Sequence, residues 1–452
     1  MKLNPEFRRY CWLELTPHRL IAAPAIAGLI LALVAASSHY STAALAMTGL
    51  GGFAACALLY GGYLAMSAMP EEVRERTWDF QRMSALTPGE LAFGKVFGAP
   101  VVGWYAGAWF MAVYLAAGFR EQGVDALLIA ASAVFATITL HAVAMTLGIL
   151  AVRAGSTRNP GAVFLFLVFW AASLPLQWMT GESRGETLVW WGLRPPHLWF
   201  MLLSSAAFAA WAWLGAARSF AGELRVHQLP WAWPAFCLFL GVWAGGLIEA
   251  KVGGAGSRAA IVMLIFFLAT GLGSYLLLLT ERTGAMTLAR VLRTLRGELE
   301  GGAQRALQSV PLWSISVACA WVGAIALLLM PWGTGLAGQM SGVLAEISAE
   351  GKIMPLALAA MLLRDTGIYC IFALQRFPRR PALATTLYVV LLDAVFPALM
   401  SIAGLQTVAF LVFPLGRASA LGALVIFAVQ AAAAWSIAIW RWSDGQKLDL
   451  AT

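Results

Sequence analysis

Arg364 and Asp365 stand side by side near the middle of an apolar run from Met354 to Phe372. A charge at the bilayer centre costs about 2.5–3.5 kcal/mol on insertion scales, so such groups face protein or water. The chemistry open to them is charge pairing or contact with a polar cargo. Neighbours on a helix point about 100° apart, which predicts a poor pair between these two. Asp393 in the next apolar run and His141 in an earlier one are the candidate partners. The group reads either as a polar element of a pathway or moving joint, or as an ion pair that fixes helix packing. A proton relay would need further carboxylates at this depth, and the sequence offers no chain of them.

The second chemically dense stretch is Glu75 to Lys95, between two long apolar runs. Glu75, Arg76, Asp79 and Arg82 alternate with Trp78, Phe80, Met83 and Leu86. Thr87 can cap a helix, Pro88 suits its first position, and Glu90 stands where a capping box needs it. A short surface segment therefore ends near Leu86, and a new helix starts at Pro88. Gly89 to Lys95 also fits the opening of a phosphate-binding loop, G-x-x-x-x-G-K. The Ser or Thr that would hold Mg²⁺ is Val96, and no buried strand precedes it, so no nucleotide site is expected here.

These residues resemble a loop of type-2 ABC exporter permeases, which lies between their second and third spans. The matching features are Glu75-Arg76, Thr77, the segment Trp78 to Leu86, the Thr87-Pro88 break and Gly94-Lys95. The resemblance implies that this loop is a coupling helix. Glu75, Arg76, Trp78, Asp79, Arg82, Thr87, Glu90 and Lys95 would then engage a separate cytoplasmic ABC-type ATPase, expected in two copies. It also implies export across a cell (inner) membrane. The family usually assembles two six-span chains, so a chain holding both halves departs from its common form.

Composition sets the class. The 452 residues are 61% hydrophobic and 12% charged, with mean hydropathy +0.77, whereas soluble domains are about half apolar and a quarter charged. The apolar residues fall in blocks of membrane-helix length. The fold class is an all-α polytopic membrane protein of about twelve transmembrane helices in two six-helix halves. Spans are expected near 20–37, 43–69, 98–118, 126–152, 162–179, 198–217, 231–249, 259–280, 312–330, 353–375, 383–403 and 418–441. Asn4 to Arg19, ahead of them, reads as an interfacial helix with Phe7, Tyr10 and Trp12 at headgroup level. No cleavable signal peptide is expected.

Loop charge gives the orientation. With the N-terminus inside, 22 Lys and Arg fall in cytoplasmic segments and seven outside, with Arg364 within the membrane. Both termini are therefore expected to be cytoplasmic. The net charge of +8 belongs to those basic loops, so no nucleic-acid partner is expected. Membrane lipid is. The five cysteines and five histidines form no metal-binding spacing, and no nucleophile–base pair appears. Glu182 and Glu186 read as a solvated outer face. No cofactor and no enzymatic activity are expected in this chain.

The halves, residues 1–222 and 223–452, read as one unit used twice at an offset of about 223 residues. Arg153 matches Arg376, Arg218 and Gly222 match Arg441 and Gly445, Pro175 falls beside Pro397, and His141 falls on Arg364. Each half carries E-R-T followed by G-E-L. In the second half, residues 281–300 form an amphipathic helix with leucines on one face. It lacks the Thr-Pro break and suits lipid or a partner equally. Apolar runs after spans five and eleven are too short to cross and suit re-entrant or interfacial helices. Two other function classes stay open. One is a twelve-helix secondary transporter, although the major-facilitator G-x-x-x-D-R/K-x-G-R-R loop is missing. The other is a lipid-linked membrane enzyme. The substrate is not legible.

Overall fold

A computed structural model describes residues 4–153, 155, 188–226, 228–248, 255–281, 307–308, 310–330, 352–374, 381–415 and 419–451. Among them the chain is all-α, with one isolated bridge between Trp190 and Leu193. Ten helices among the described residues are long and apolar enough to cross a membrane, and the chain is a multi-pass membrane protein on that ground. The expected seventh span is a helix of 17 residues, Ala232–Ile248. The expected fifth span lies outside the described residues.

Contacts divide the chain into two compact units: Met1–Leu188 with Arg194–Gln228, and Val189–Leu193 with Leu229–Thr452. In the first, α1 (Pro5–Glu14) stops at Leu15-Thr16, and Pro17 opens α2 (Pro17–Ser37). α3 runs through Thr42–Arg74 with a π-helical turn at Ala54–Tyr60. The short α4 (Trp78–Arg82) and α5 (Pro88–Gly98) follow. Pro100, which has no amide to give a helix, separates α5 from α6 (Val101–Gln122). α7 (Asp125–Arg153) and α8 (His197–Glu223) complete the unit.

The second unit holds α9 (Ala232–Ile248), α10 (Ala255–Thr280), α11 (Leu312–Leu329) and α12 (Met354–Ala373). α13 (Pro381–Ile402) contains a second π-helical turn, Leu391–Val395. α14 (Gln406–Val412) and α15 (Ala420–Ala451) end the chain. Packing repeats between the units. α8 lies on α7 as α15 lies on α12, and α3 lies on α6 as α10 lies on α11.

α14 is the short apolar helix expected after span eleven, stopped at Phe413-Pro414. The run expected after span five lies mostly outside the described residues. Its described part, from Leu188 to Pro196, is a turn rather than a helix. The Trp190 and Trp191 indoles there donate to the carbonyls of Trp243 and Val242, each at 3.0 Å. Of the amphipathic segment 281–300, only Glu281 is described. Its carboxylate accepts from the backbone N–H groups of Leu312 (3.1 Å) and Trp313 (3.2 Å), and so caps α11.

Candidate functional site

The Glu75–Lys95 loop is held from within by a buried cluster of charge. Lys95 lies in the last turn of α5 and has no exposed surface. Its Nζ donates to Glu6 Oε1 at 3.1 Å and to Glu72 Oε2. Arg9 Nη2 donates to Glu6 Oε1 at 2.8 Å and to Glu72 Oε1 at 2.7 Å, and the Tyr10 hydroxyl donates to Glu72 Oε1 at 2.7 Å. Two cations meet two carboxylates, and the rings of Tyr10 and Trp78 lie 5.6 and 5.5 Å from Lys95 Nζ. Burial, with the Glu72 charge beside it, holds the Tyr10 hydroxyl well above the usual phenol range, so it stays a donor.

The partners arrive on three elements, α1, α3 and α5. Asn4 caps α1 by accepting from the N–H groups of Glu6 (3.0 Å) and Phe7 (3.1 Å). Its amide donates to the Glu90 carbonyl at 2.8 Å, which ties α1 to the start of α5. Gly94 lets α1 come this close, because a Cβ there would overlap the Glu6 side chain. Glu72 lies in the last turns of α3. Trp78 is 4% exposed and packs on Phe220 of α8, with ring centroids 6.2 Å apart. Phe93 and Phe97 pack on Trp213 of the same helix.

The capping box is formed. Thr87 Oγ1 accepts from the Glu90 N–H at 3.3 Å, and the Glu90 carboxylate accepts from the Thr87 N–H at 2.8 Å. The backbone N–H and the hydroxyl of Thr87 hold the Glu90 carboxyl below the usual carboxylate range.

The expected coupling residues therefore fall into two groups. Glu75, Arg76, Asp79 and Arg82 are exposed, and Thr87 and Glu90 cap α5 from the surface. Trp78 and Lys95 point inward and hold the loop, away from any surface a partner could reach. Phe80 and Met83, 74% and 76% exposed, form an apolar tip between the charges. Their spacing of three residues places them on one face of a helical turn, a signal present in the sequence that charge-based reading passed over. Arg76 takes a left-handed conformation, φ 61°. It closes α3 with two bonds, Arg76 N–H to the Val73 carbonyl (3.2 Å) and Thr77 N–H to the Glu72 carbonyl (2.9 Å). This is the Schellman stop, a place where glycine is usual. Arg225 ends α8 in the same way, φ 57°.

Within the second unit, Arg364 pairs with both aspartates. Its Nε donates to Asp365 Oδ1 at 2.8 Å, and its Nη2 donates to Asp393 Oδ1 and Oδ2 at 2.7 and 2.8 Å. The pairing with Asp365 corrects the expectation from helical spacing. The guanidinium is long enough to fold back along α12 and close the gap that the Cβ directions open. Arg364 Nη1 donates to Gln430 Oε1 at 3.1 Å, and the Gln430 amide donates to the carbonyls of Leu411 (2.7 Å) and Val412 (3.1 Å) at the end of α14. The Tyr275 hydroxyl donates to Asp365 Oδ2 at 2.6 Å.

The other candidate, His141, has a partner within its own unit. It is buried within the first unit, with Nε2 2.8 Å from the Ala57 carbonyl in the π-helical turn of α3. A carbonyl only accepts, so Nε2 carries the proton. Gly61 makes room for the ring, since a Cβ there would lie 2.6 Å from Nε2. Asp393 likewise sits in a π-helical turn, in α13.

Comparison with protein-family models, curated proteins and solved structures finds no match to this chain.

Proposed function

We propose that this chain is the membrane-spanning permease subunit of an ABC transporter, an exporter at the cell (inner) membrane driven by a separate cytoplasmic ATPase. The observation that carries this reading is the build of the Glu75–Lys95 loop. An exposed face of Glu75, Arg76, Asp79, Phe80, Arg82 and Met83 is joined through buried Trp78 and Lys95 to three membrane-facing elements. A push on such a face moves α3, α5 and α1 together, which is what coupling to ATP hydrolysis requires. Two repeated units fit a single copy supplying all the membrane helices over two ATPase copies.

The test is purification of the chain in mild detergent from its own membranes, with identification of bound polypeptides and an assay of ATP hydrolysis. A bound ATPase that is lost on the double reversal Asp79→Arg with Arg82→Asp supports the reading. Transport by the chain alone, driven by an ion gradient, overturns it. That outcome would favour the second reading, a secondary transporter, for which the charged network around Arg364 speaks.

A further inference from the structure

Each unit buries a cluster of charge, and the two do not balance alike. In the first, Arg9 and Lys95 offset Glu6 and Glu72. In the second, Arg364 alone among the described residues faces Asp365 and Asp393. Among the described residues, the charged and titratable groups that face Asp393 from the helices packed on it are Arg364 and Asp365 on α12 and Tyr275 on α10. Gln430 on α15 is neutral. All three guanidinium nitrogens are engaged, so one negative charge is left over between helices that cross the membrane. An uncompensated carboxylate is costly in such a place.

We propose that this network binds one proton, on the carboxyl of Asp393, and that its binding and release change the grip of Arg364 on α13. Geometry selects Asp393. Asp365 has a separate donor on each oxygen, Arg364 on Oδ1 and Tyr275 on Oδ2, and its side chain is 1% exposed. Those donors favour the ionised form. Asp393 is held by a single nitrogen, Arg364 Nη2, and its side chain is 15% exposed. It is the carboxyl a proton can reach.

The step balances. One proton from water adds to one Asp393 oxygen, and the carboxylate becomes a neutral acid. Arg364 and Asp365 remain as a pair of net charge zero. The two bonds from Arg364 Nη2 to Asp393 then lose their ionic character, and α13 is held less firmly at its π-helical turn. The Arg364–Gln430 bond and the clasp of Gln430 on the end of α14 remain. A hard metal cation is a poorer occupant, because it needs about six oxygens and the Asp365 oxygens are already taken.

Infrared spectroscopy of the full chain in lipid vesicles at neutral pH tests this. The quantity read is the carbonyl stretch of a protonated carboxylic acid in parent-minus-variant spectra. Asp393→Asn should lose the band, and Asp393→Glu should move it while Asp365→Glu leaves it in place. Asp365→Asn should abolish it too, since Arg364 would then balance Asp393 alone. Asp393→Asn replaces a neutral acid by a neutral amide and should melt no lower than the parent. No acid band in the parent, a band that survives Asp393→Asn, or one that moves with Asp365→Glu would overturn the proposal.

Discussion

Lys95 Nζ and Glu6 Oε1 lie 3.1 Å apart, both buried, although 89 positions separate them in the chain. This bond fixes α1 to the foot of the Glu75–Lys95 loop. Removing one partner of a buried pair leaves the other charge exposed to a low dielectric and typically costs about 3–5 kcal/mol. Lys95→Met should therefore lower the melting temperature in detergent and the folded yield. Adding Glu72→Gln restores the charge balance and should recover most of that loss. An unchanged melting temperature in Lys95→Met would remove the cluster from any role in holding the loop.

Arg76 predicts the opposite sign. A non-glycine residue in the left-handed region costs about 1 kcal/mol, so Arg76→Gly should be neutral or should stabilise by up to about 1 kcal/mol. Arg225→Gly should behave alike. If the arginine is kept for its side chain, Arg76→Gly should weaken ATPase binding while thermal stability holds or rises. A drop in stability would mean that its side chain supports the fold.

The parts of this architecture that depend on neighbours in sequence were legible beforehand. Span positions follow from apolar run lengths, and the Thr87–Glu90 box follows from residue types three apart. Asp393 was a candidate partner of Arg364 because a lone charge at that depth needs one. The parts that depend on distant contacts were hidden. Nothing local says that Lys95 turns inward, because its partners arrive on α1 and α3. The two π-helical turns leave no pattern in residue type, so the seat of His141 on the Ala57 carbonyl could not be read. The Arg364–Asp365 pair was misjudged because spacing rules describe Cβ directions and not the reach of a guanidinium.

Phe80 and Met83 offer the apolar anchors around which charges usually form a rim. Phe80→Ala should cost about 2 kcal/mol of ATPase binding, roughly thirtyfold in affinity, without changing the melting temperature. Charge reversal at Asp79 with Arg82 should uncouple hydrolysis from transport in a folded protein, and the same change at Arg293 with Arg296 should do less. Crosslinking that finds the ATPase only at residues 281–300 would overturn this assignment.

The capping box carries a pH signature. The Glu90 carboxyl is lowered in the folded protein by the Thr87 N–H and hydroxyl. Its contribution is therefore complete above the unfolded value, about 4.3, and is lost as pH falls through the lower folded value. Protection of the Thr87 amide, taken relative to the intrinsic exchange rate at each pH, should fall only in that acid range, and Glu90→Gln should flatten the dependence. Thr87→Ala should cost about 1 kcal/mol at neutral pH. A Thr87 protection factor that does not respond to pH in the parent would mean that the carboxylate bond is not made in solution.

Arg364 separates a structural role from a transport role. Among the described residues it is the one cation in its network, and it joins α12 to α13 and α15. Arg364→Ala leaves the buried aspartates without their counter-charge and should cost about 3–5 kcal/mol, so folded yield should fall more than the specific activity of what folds. Arg364→Lys keeps the charge but cannot reach three acceptors from one rigid fork. It should fold better than the alanine variant and melt below the parent. If yield instead stays normal while turnover collapses, the residue serves transport directly and the network lines the pathway. Equal and small losses in both measurements would sink either version, because a lone buried cation facing two aspartates cannot be removed at so little cost.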